Sequence, residues 1–560
     1  MRKSWHFAGS LLVVLLSASC SREAPQTGGM STSAVPPNAA PDMLLINGKI
    51  LTVDPAFSIA EALAINDGRI VAVGSSADIS ALAAADTLIT DLAGRTVVPG
   101  LIDNHNHFVR ATQQWYRQVR WDELNSRTAA LDLLKARAAT LPAGEWVVVL
   151  GGWIPEQFAD DPSPFTRAEL DAVLPDNPLY IQQGYGRGYA NSLALEQTGV
   201  VAGAELATGV ELVDGEPTGV LNGAAAFLSV ADRITPTPEA TWDDSIQLTV
   251  ADYLAQGMTT LLDIGGNTVT PRHYEVLRRA AANGALAMRV FYTLNGTNGV
   301  GPGADAIVES LKGTPARSGD DFFGQFTYGE MTFEEMRDQN WPATNDDTTA
   351  YAGILATAAA RGWQIHEHST DDDKMQVTLD LMAEVNAATP IAPLRWTLAH
   401  AEQASDATIA RAQELGVVFA LHSSGGLGAV AAAANGADVS RVPPIRQIEE
   451  AGVLWGLGSD GTVVSGFHPF HNIGWAVSGL ARNGQQLLQA TVSREAALRA
   501  HTLSNAWLLF KDDVLGSLEV GKYADLVVLD RDYMTIPAEE IASIKPIMTM
   551  VNGEIAYTAP

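Results

Sequence analysis

Polar and apolar residues alternate with different rhythms in different parts of this chain. Near the N-terminus, "DMLLINGKILTVD", "EALAINDGRIVAVG" and "GRTVVPG" are short β-rich runs punctuated by Asn-Gly and Asp-Gly, the signal of hairpins. "GSLEVGKYADLVVLD" and "PIMTMVNGEIAYTA" repeat that rhythm at the C-terminus. Isolated hairpins are marginal, so the two ends are expected to pair. Residues 41–98 and 515–560 would then form one small composite β-sandwich domain, with 99–514 inserted into it. Within the insert, buried strands alternate with helical stretches, the pattern of a parallel α/β fold. The strand candidates are "GLIDNHNH", "MTTLLDIG", "AMRVFYTL", "FFGQFTYGE", "WQIHEHST", "RWTLAHAE", "GVVFALHS" and "VLWGLGSD". Between several lie alanine-rich helices such as "YAGILATAAARG" and "DATIARAQELG", ending at glycine as helices commonly do. This repetition predicts a (β/α)8 TIM-like barrel, with an open doubly wound sheet as the alternative. Residues 112–245 are too long for a loop and are read as an α+β insertion after barrel strand 1 that covers the substrate pocket.

Composition narrows the function. A charged content of 18% with 47% hydrophobic residues describes a globular chain. The formal charge of −29, with no basic block, argues against a nucleic-acid partner. The first residues, "MRKSWHFAGSLLVVLLSASC", carry a charged start, an apolar stretch and small residues, as a secretory signal does. Cys20, the sole cysteine, stands where a bacterial lipoprotein signal is cut and lipidated, which makes residues 1–20 a signal peptide and 21–40 a Pro/Ser/Gly-rich tether. The expectation is export to the periplasm or cell envelope with an N-terminal lipid anchor. One cysteine excludes a disulfide framework.

Ionisable groups recur at the C-terminal ends of the expected strands: His105 and His107, Glu330, His368, His400 and Asp460. A barrel binds its ligands at that face. The spacing of His105 and His107 turns both imidazoles to one side of an extended backbone. Several histidines with a carboxylate suit Zn²⁺ or a similar divalent metal, as one ion or two. No Gly-x-Ser-x-Gly supports a serine nucleophile, and "NGTNGVGPGADA" lacks the ending of a phosphate loop.

With "TVVPGLIDNHNHF" (96–108), "HEHST" (366–370), "LAHAE" (398–402), "GLGSDG" (456–461), "VSREAALRAHTLSNAWLLF" (492–510) and "GSLEVGKYADLVVLD" (516–530), the chain resembles the metal-dependent amidohydrolase superfamily, in its amidohydrolase-3 type branch. The resemblance implies metal ligation by His105, His107, His368 and His400. It makes Asp460 both a ligand and the general base toward the attacking water. The family's strand-four ligand is often a carbamylated lysine that bridges two metals, and in some branches a glutamate. Strand "FFGQFTYGE" has no lysine, so Glu330 is the expected substitute, against the plainer reading of an acid preceding a helix. A second departure lies in "GYGRGYANS", where Gly186 stands in place of the histidine relatives commonly carry. Tyr185 and Arg187 are then candidate substrate contacts, as are His422 at the end of strand seven and His468 beyond Asp460. His366 is a further ligand or a supporting donor, and His501 is read as structural.

The implied activity is metal-dependent hydrolysis of carbon–nitrogen bonds (non-peptide amides and cyclic amides) in a small-molecule substrate through activated water. An esterase, a lyase or isomerase on the same barrel, and an inactive envelope binding protein are the alternatives. Homo-oligomers are compatible with the sequence.

Overall fold

The computed structural model describes residues 40–266, 269–295, 303–422 and 424–560, apart from the side chains of 424–426. The expected signal peptide, nearly all of the tether and Cys20 lie outside the described residues. Among the described residues, no helix is long and apolar enough to cross a membrane.

Eight parallel strands form the barrel: β1 (Leu101–Asn106), β2 (Met258–Asp263), β3 (Arg289–Leu294), β4 (Phe323–Glu330), β5 (Ile365–Ser369), β6 (Thr397–His400), β7 (Val418–His422) and β8 (Trp455–Gly458). Each pairs with its neighbours in sequence order. The last meets the first through a parallel bridge between Asn106 and Gly461. The Asp460 amide donates to the His105 carbonyl at 2.8 Å, and the His107 amide donates to the Gly461 carbonyl at 2.8 Å.

The alternation of the strands explains their two faces. In β5, Ile365 packs into the layer between sheet and helices, with Leu398, Phe419 and Leu457 from the following strands and Leu355, Leu379, Ile409 and Ile448 from the helices. Glu367 points the same way and accepts from the Tyr351 hydroxyl at 2.8 Å. His366 and His368 therefore face the barrel interior. The helices Asn345–Arg361 and Asp406–Leu415 stop where the sequence indicated, at Gly362 (φ 77°) and Gly416 (φ 69°) in the left-handed conformation that glycine adopts without strain.

The seam between β1 and β8 carries its own polar latch. Asp103 accepts from the Ser459 hydroxyl at 2.5 Å and from the Ser459 amide at 3.0 Å. Asn106 Nδ2 donates to Asp103 at 2.9 Å and to Ser459 Oγ at 3.0 Å. Asn505 Nδ2 donates to the Leu457 carbonyl at 2.6 Å. Gly458 is required by this closeness, because a Cβ there would stand 2.5 Å from Asn104 Oδ1.

The chain ends do pair. Strand Thr96–Pro99 lies antiparallel to Leu526–Leu529, with Val97 opposite Val528, in a six-stranded sheet drawn from both termini. A four-stranded sheet of residues 43–91 faces it across a core of Leu45, Leu63, Ile65, Leu526, Val528 and Met550. One buried ion pair ties this unit to the barrel: Arg289 Nε and Nη2 donate to Asp525 at 2.8 and 2.9 Å. Between β1 and β2, the chain builds a separate five-stranded sheet from Val147–Leu150, Leu179–Gln183, Arg187–Ala190, Val210–Val213 and Glu216–Asn222.

Candidate metal centre

The C-terminal ends of β1, β4, β5 and β6, with the turn after β8, converge on one buried cluster. Glu330 is at its middle. Its Oε2 lies 2.8 Å from His368 Nδ1, 3.3 Å from His400 Nε2 and 3.4 Å from His105 Nε2, and its Oε1 lies 3.6 Å from His107 Nε2. Asp460 closes the other side, with Oδ1 3.1 Å from His107 Nε2 and 3.7 Å from His105 Nε2. The structure thus brings together His105, His107, Glu330, His368, His400 and Asp460. His400 (φ 70°) and Asp460 (φ 54°) both sit in the left-handed region, a strained conformation for such residues that turns the chain at the strand ends.

These donors fit a divalent metal. His105 Nε2 is buried without a hydrogen-bond partner and faces two carboxylates, while Nδ1 of the same ring is engaged at 3.1 Å by His366 Nε2. His107 Nδ1 is likewise held, 2.8 Å from the Gly265 carbonyl, leaving Nε2 toward the carboxylates. Anchoring one ring nitrogen to expose the other is how imidazole ligands are usually oriented. Among the described residues three overlapping sets in this centre are compact enough to hold an ion: His105, His107 and Asp460; Glu330, His368 and His400; and His105, His400 and His422.

Electrostatics support that reading. Burial favours neutral Glu330, but the surrounding His105, His368 and His400 hold its carboxyl well below the usual range. Asp460 is likewise lowered against its burial, by His107, His400 and His105. Burial pushes His105 down to about 4. Burial also opposes protonation of His400, yet Glu330 and Glu402 outweigh it and hold that imidazole well above its usual value.

The other candidates distribute unevenly. His422 is buried, its ring centroid 3.9 Å from His105 and 4.5 Å from His400, and neither ring nitrogen has a hydrogen-bond partner among the described residues. Tyr185 is half exposed, and its hydroxyl accepts from Arg110 Nη1 at 2.8 Å. Arg187 lies in the inserted sheet, where its Nε donates to Asn222 Oδ1 at 2.9 Å. His468 Nδ1 pairs with Glu123 at 3.2 Å, in a separate cluster that includes His471. The contrast with His422 has a simple cause: His422 ends a barrel strand, whereas His468 caps the helix Pro469–Ser478 that follows the turn after β8.

Two residues joined the site unannounced. Asp338, from a short 3-10 turn after β4, lies 3.0 Å from His368 Nε2 and accepts from Lys374 Nζ at 3.0 Å. It fixes the far side of the His368 ring. Arg110 follows His107 by one helical turn. The sequence signal for both was only their proximity to better candidates, with no periodic pattern.

Known proteins share this organisation. An N-substituted formamide deformylase from Arthrobacter pascens is 28% identical over 547 residues, covering 92% of this chain and 98% of that protein. The structure of an uncharacterized metal-dependent hydrolase from Pyrococcus horikoshii OT3 superposes with a TM-score of 0.63 at 17% identity, covering 89% of this chain and 99% of the other. That of atrazine chlorohydrolase TrzN from Arthrobacter aurescens TC1, complexed with zinc, gives 0.54 at 15% identity, covering 92% and 95%. At such identities the two structures establish the shared fold. The model of the amidohydrolase family matches residues 88–557, and with the barrel and its metal-ligand cluster this places the chain in that family.

Proposed function

We propose that this protein is a metal-dependent hydrolase of carbon–nitrogen bonds in small non-peptide amides, N-formyl and N-acyl compounds among them. The observation that carries the proposal is Glu330, a buried carboxylate in contact with the His105–His107 side and the His368–His400 side at once. His105, His107, Glu330, His368, His400 and Asp460 would hold the metal. Glu330 would contribute its carboxylate to that ligand set, where relatives often carry a modified lysine. Zn²⁺ is the first choice, on the imidazole and carboxylate donor set and on the zinc complex of the atrazine chlorohydrolase.

Bound there, a divalent ion lowers the pKa of water and polarises a substrate carbonyl. The remaining chemistry belongs to the chain. Asp460, kept ionised by its imidazole neighbours, accepts a proton from the attacking water and returns it to the departing nitrogen. His422, kept neutral by burial, has an N–H to offer the substrate oxygen. The formamide-cleaving relative supports an amide or N-formyl substrate. We further place the mature protein at the bacterial cell envelope, anchored by lipid on Cys20; the support is the N-terminal sequence.

The test is the metal-replete full chain against N-formyl amines, N-acyl amino acids, cyclic ureas and esters, in ¹⁸O-labelled water. Cleavage of a C–N bond with labelled oxygen in the acid product is expected. Cleavage of esters alone, or isomerisation without cleavage, overturns the proposal.

A further inference from the structure

Arg110 is a charged group close to the metal centre that the hydrolytic step leaves unused. It stands on helix Phe108–Thr112, which β1 launches directly from His107. Its guanidinium lies beside the His107 ring: the Cβ position at Gly266 is 3.1 Å from His107 Nδ1 and 3.5 Å from Arg110 Nη1, and the carboxylates of Asp460 and Glu330 are near enough to act on its charge. Nη1 is satisfied by the Tyr185 hydroxyl at 2.8 Å. Nε and Nη2 are buried and have no hydrogen-bond partner among the described residues.

Those two nitrogens form one edge of the guanidinium, with parallel N–H bonds that match the two oxygens of a carboxylate. The same protein uses that edge in this way elsewhere. Arg289 grips Asp525 through Nε and Nη2 at 2.8 and 2.9 Å, and Arg120 grips Asp122 through the same atoms at 2.7 and 2.6 Å. On Arg110 the edge has no carboxylate. Arginine stays charged in proteins, and buried donors left without partners are costly, so an open edge beside a reaction centre points to a ligand that completes it.

We propose that Arg110, positioned by Tyr185, binds a carboxylate of the substrate and makes the enzyme selective for acidic amides, the N-acyl amino acids being the simplest class. This deepens the proposed function and rests on the metal centre being the catalytic site.

Binding separates this inference from turnover. With metal-loaded Asp460→Asn protein, N-formyl-leucine and its neutral counterpart N-formyl-leucinamide are titrated by calorimetry. The acid is expected to bind at least about 10-fold more tightly, which is what charge-assisted hydrogen bonds supply. Arg110→Gln should erase the preference. Arg110→Lys, which keeps the charge and loses the fork, should retain only part of it. Tyr185→Phe, at a half-exposed position, should weaken it several-fold with the fold intact by circular dichroism. Equal binding of acid and amide to the starting protein overturns the inference. So does a preference that survives in Arg110→Gln, because the metal and not the guanidinium would then hold the carboxylate. If N-formyl-leucine binds selectively but the wild-type enzyme cleaves no C–N bond, the proposed function fails and the Arg110 assignment stands.

Discussion

Replacing Asp460 by Asn isolates proton transfer from metal binding. The carboxylate lies 3.1 Å from His107 Nε2, 3.7 Å from His105 Nε2 and, through its other oxygen, 3.9 Å from His400 Nδ1. Asn preserves that shape but cannot take a proton. Glu330 keeps its contacts with His105, His107, His368 and His400, so most of the ligand set survives the change. A positioned base contributes about 10²–10⁴-fold, equivalent to about 2.7–5.4 kcal/mol of barrier. The expected result is metal content near that of wild type with kcat/KM down by about that factor. Burial alone would raise the pKa of Asp460, but its imidazole neighbours hold it below the usual carboxylate range. The base form is therefore present at neutral pH, and any acidic limb due to this group lies below that range. Elemental analysis and kcat/KM across pH, measured on the same preparation, make the comparison. Undiminished kcat/KM with full metal content would refute Asp460 as the base. A loss of rate matched by loss of metal would refute the separation, leaving Asp460 as a ligand only.

Chelation should abolish turnover and lower the melting temperature, with both restored by the ion; free metal at 100 times its Kd stabilises by about 2.7 kcal/mol. Asp525→Ala should destabilise by about 3–5 kcal/mol by stranding the buried Arg289 guanidinium, whereas Arg289→Met with Asp525→Leu should recover most of that loss; urea midpoints of the full chain decide. His501 is pushed down to about 4 by burial. Its unfolded form therefore protonates first, and stability from this group falls as pH drops from about 6.5 to 4, by roughly 3 kcal/mol. His501→Gln, compared by urea unfolding of metal-free protein at both pH values, should flatten that slope.

The barrel was legible because each strand carries a hydrophobic run and several end in a ligand type; period-two spacing alone put His105 with His107 and turned Glu367 outward. The pairing of the two termini was legible from matching hairpin rhythms. Asp338 and Arg110 were not, because their roles depend on where a loop and a helical turn return in space. Arg187 was read only from its place beside Gly186, which carries no information on the strand pairing that brings Asn222 Oδ1 to its Nε. His468 looked equivalent to His422 by residue type, and only the structure separates their directions.

The seam between β1 and β8 has a consequence for the order of assembly. His105 and Asp460 are separated by most of the chain, yet they meet across the seam between the first and last barrel strands. Such distant contacts form late, because a long loop must be closed first. A chain still emerging, or cut before residue 460, can therefore fold helices and strands without possessing the complete cluster. Metal capture by the full ligand set thus reports on closure of the barrel, since Asp460 reaches His105 and His107 only across that seam.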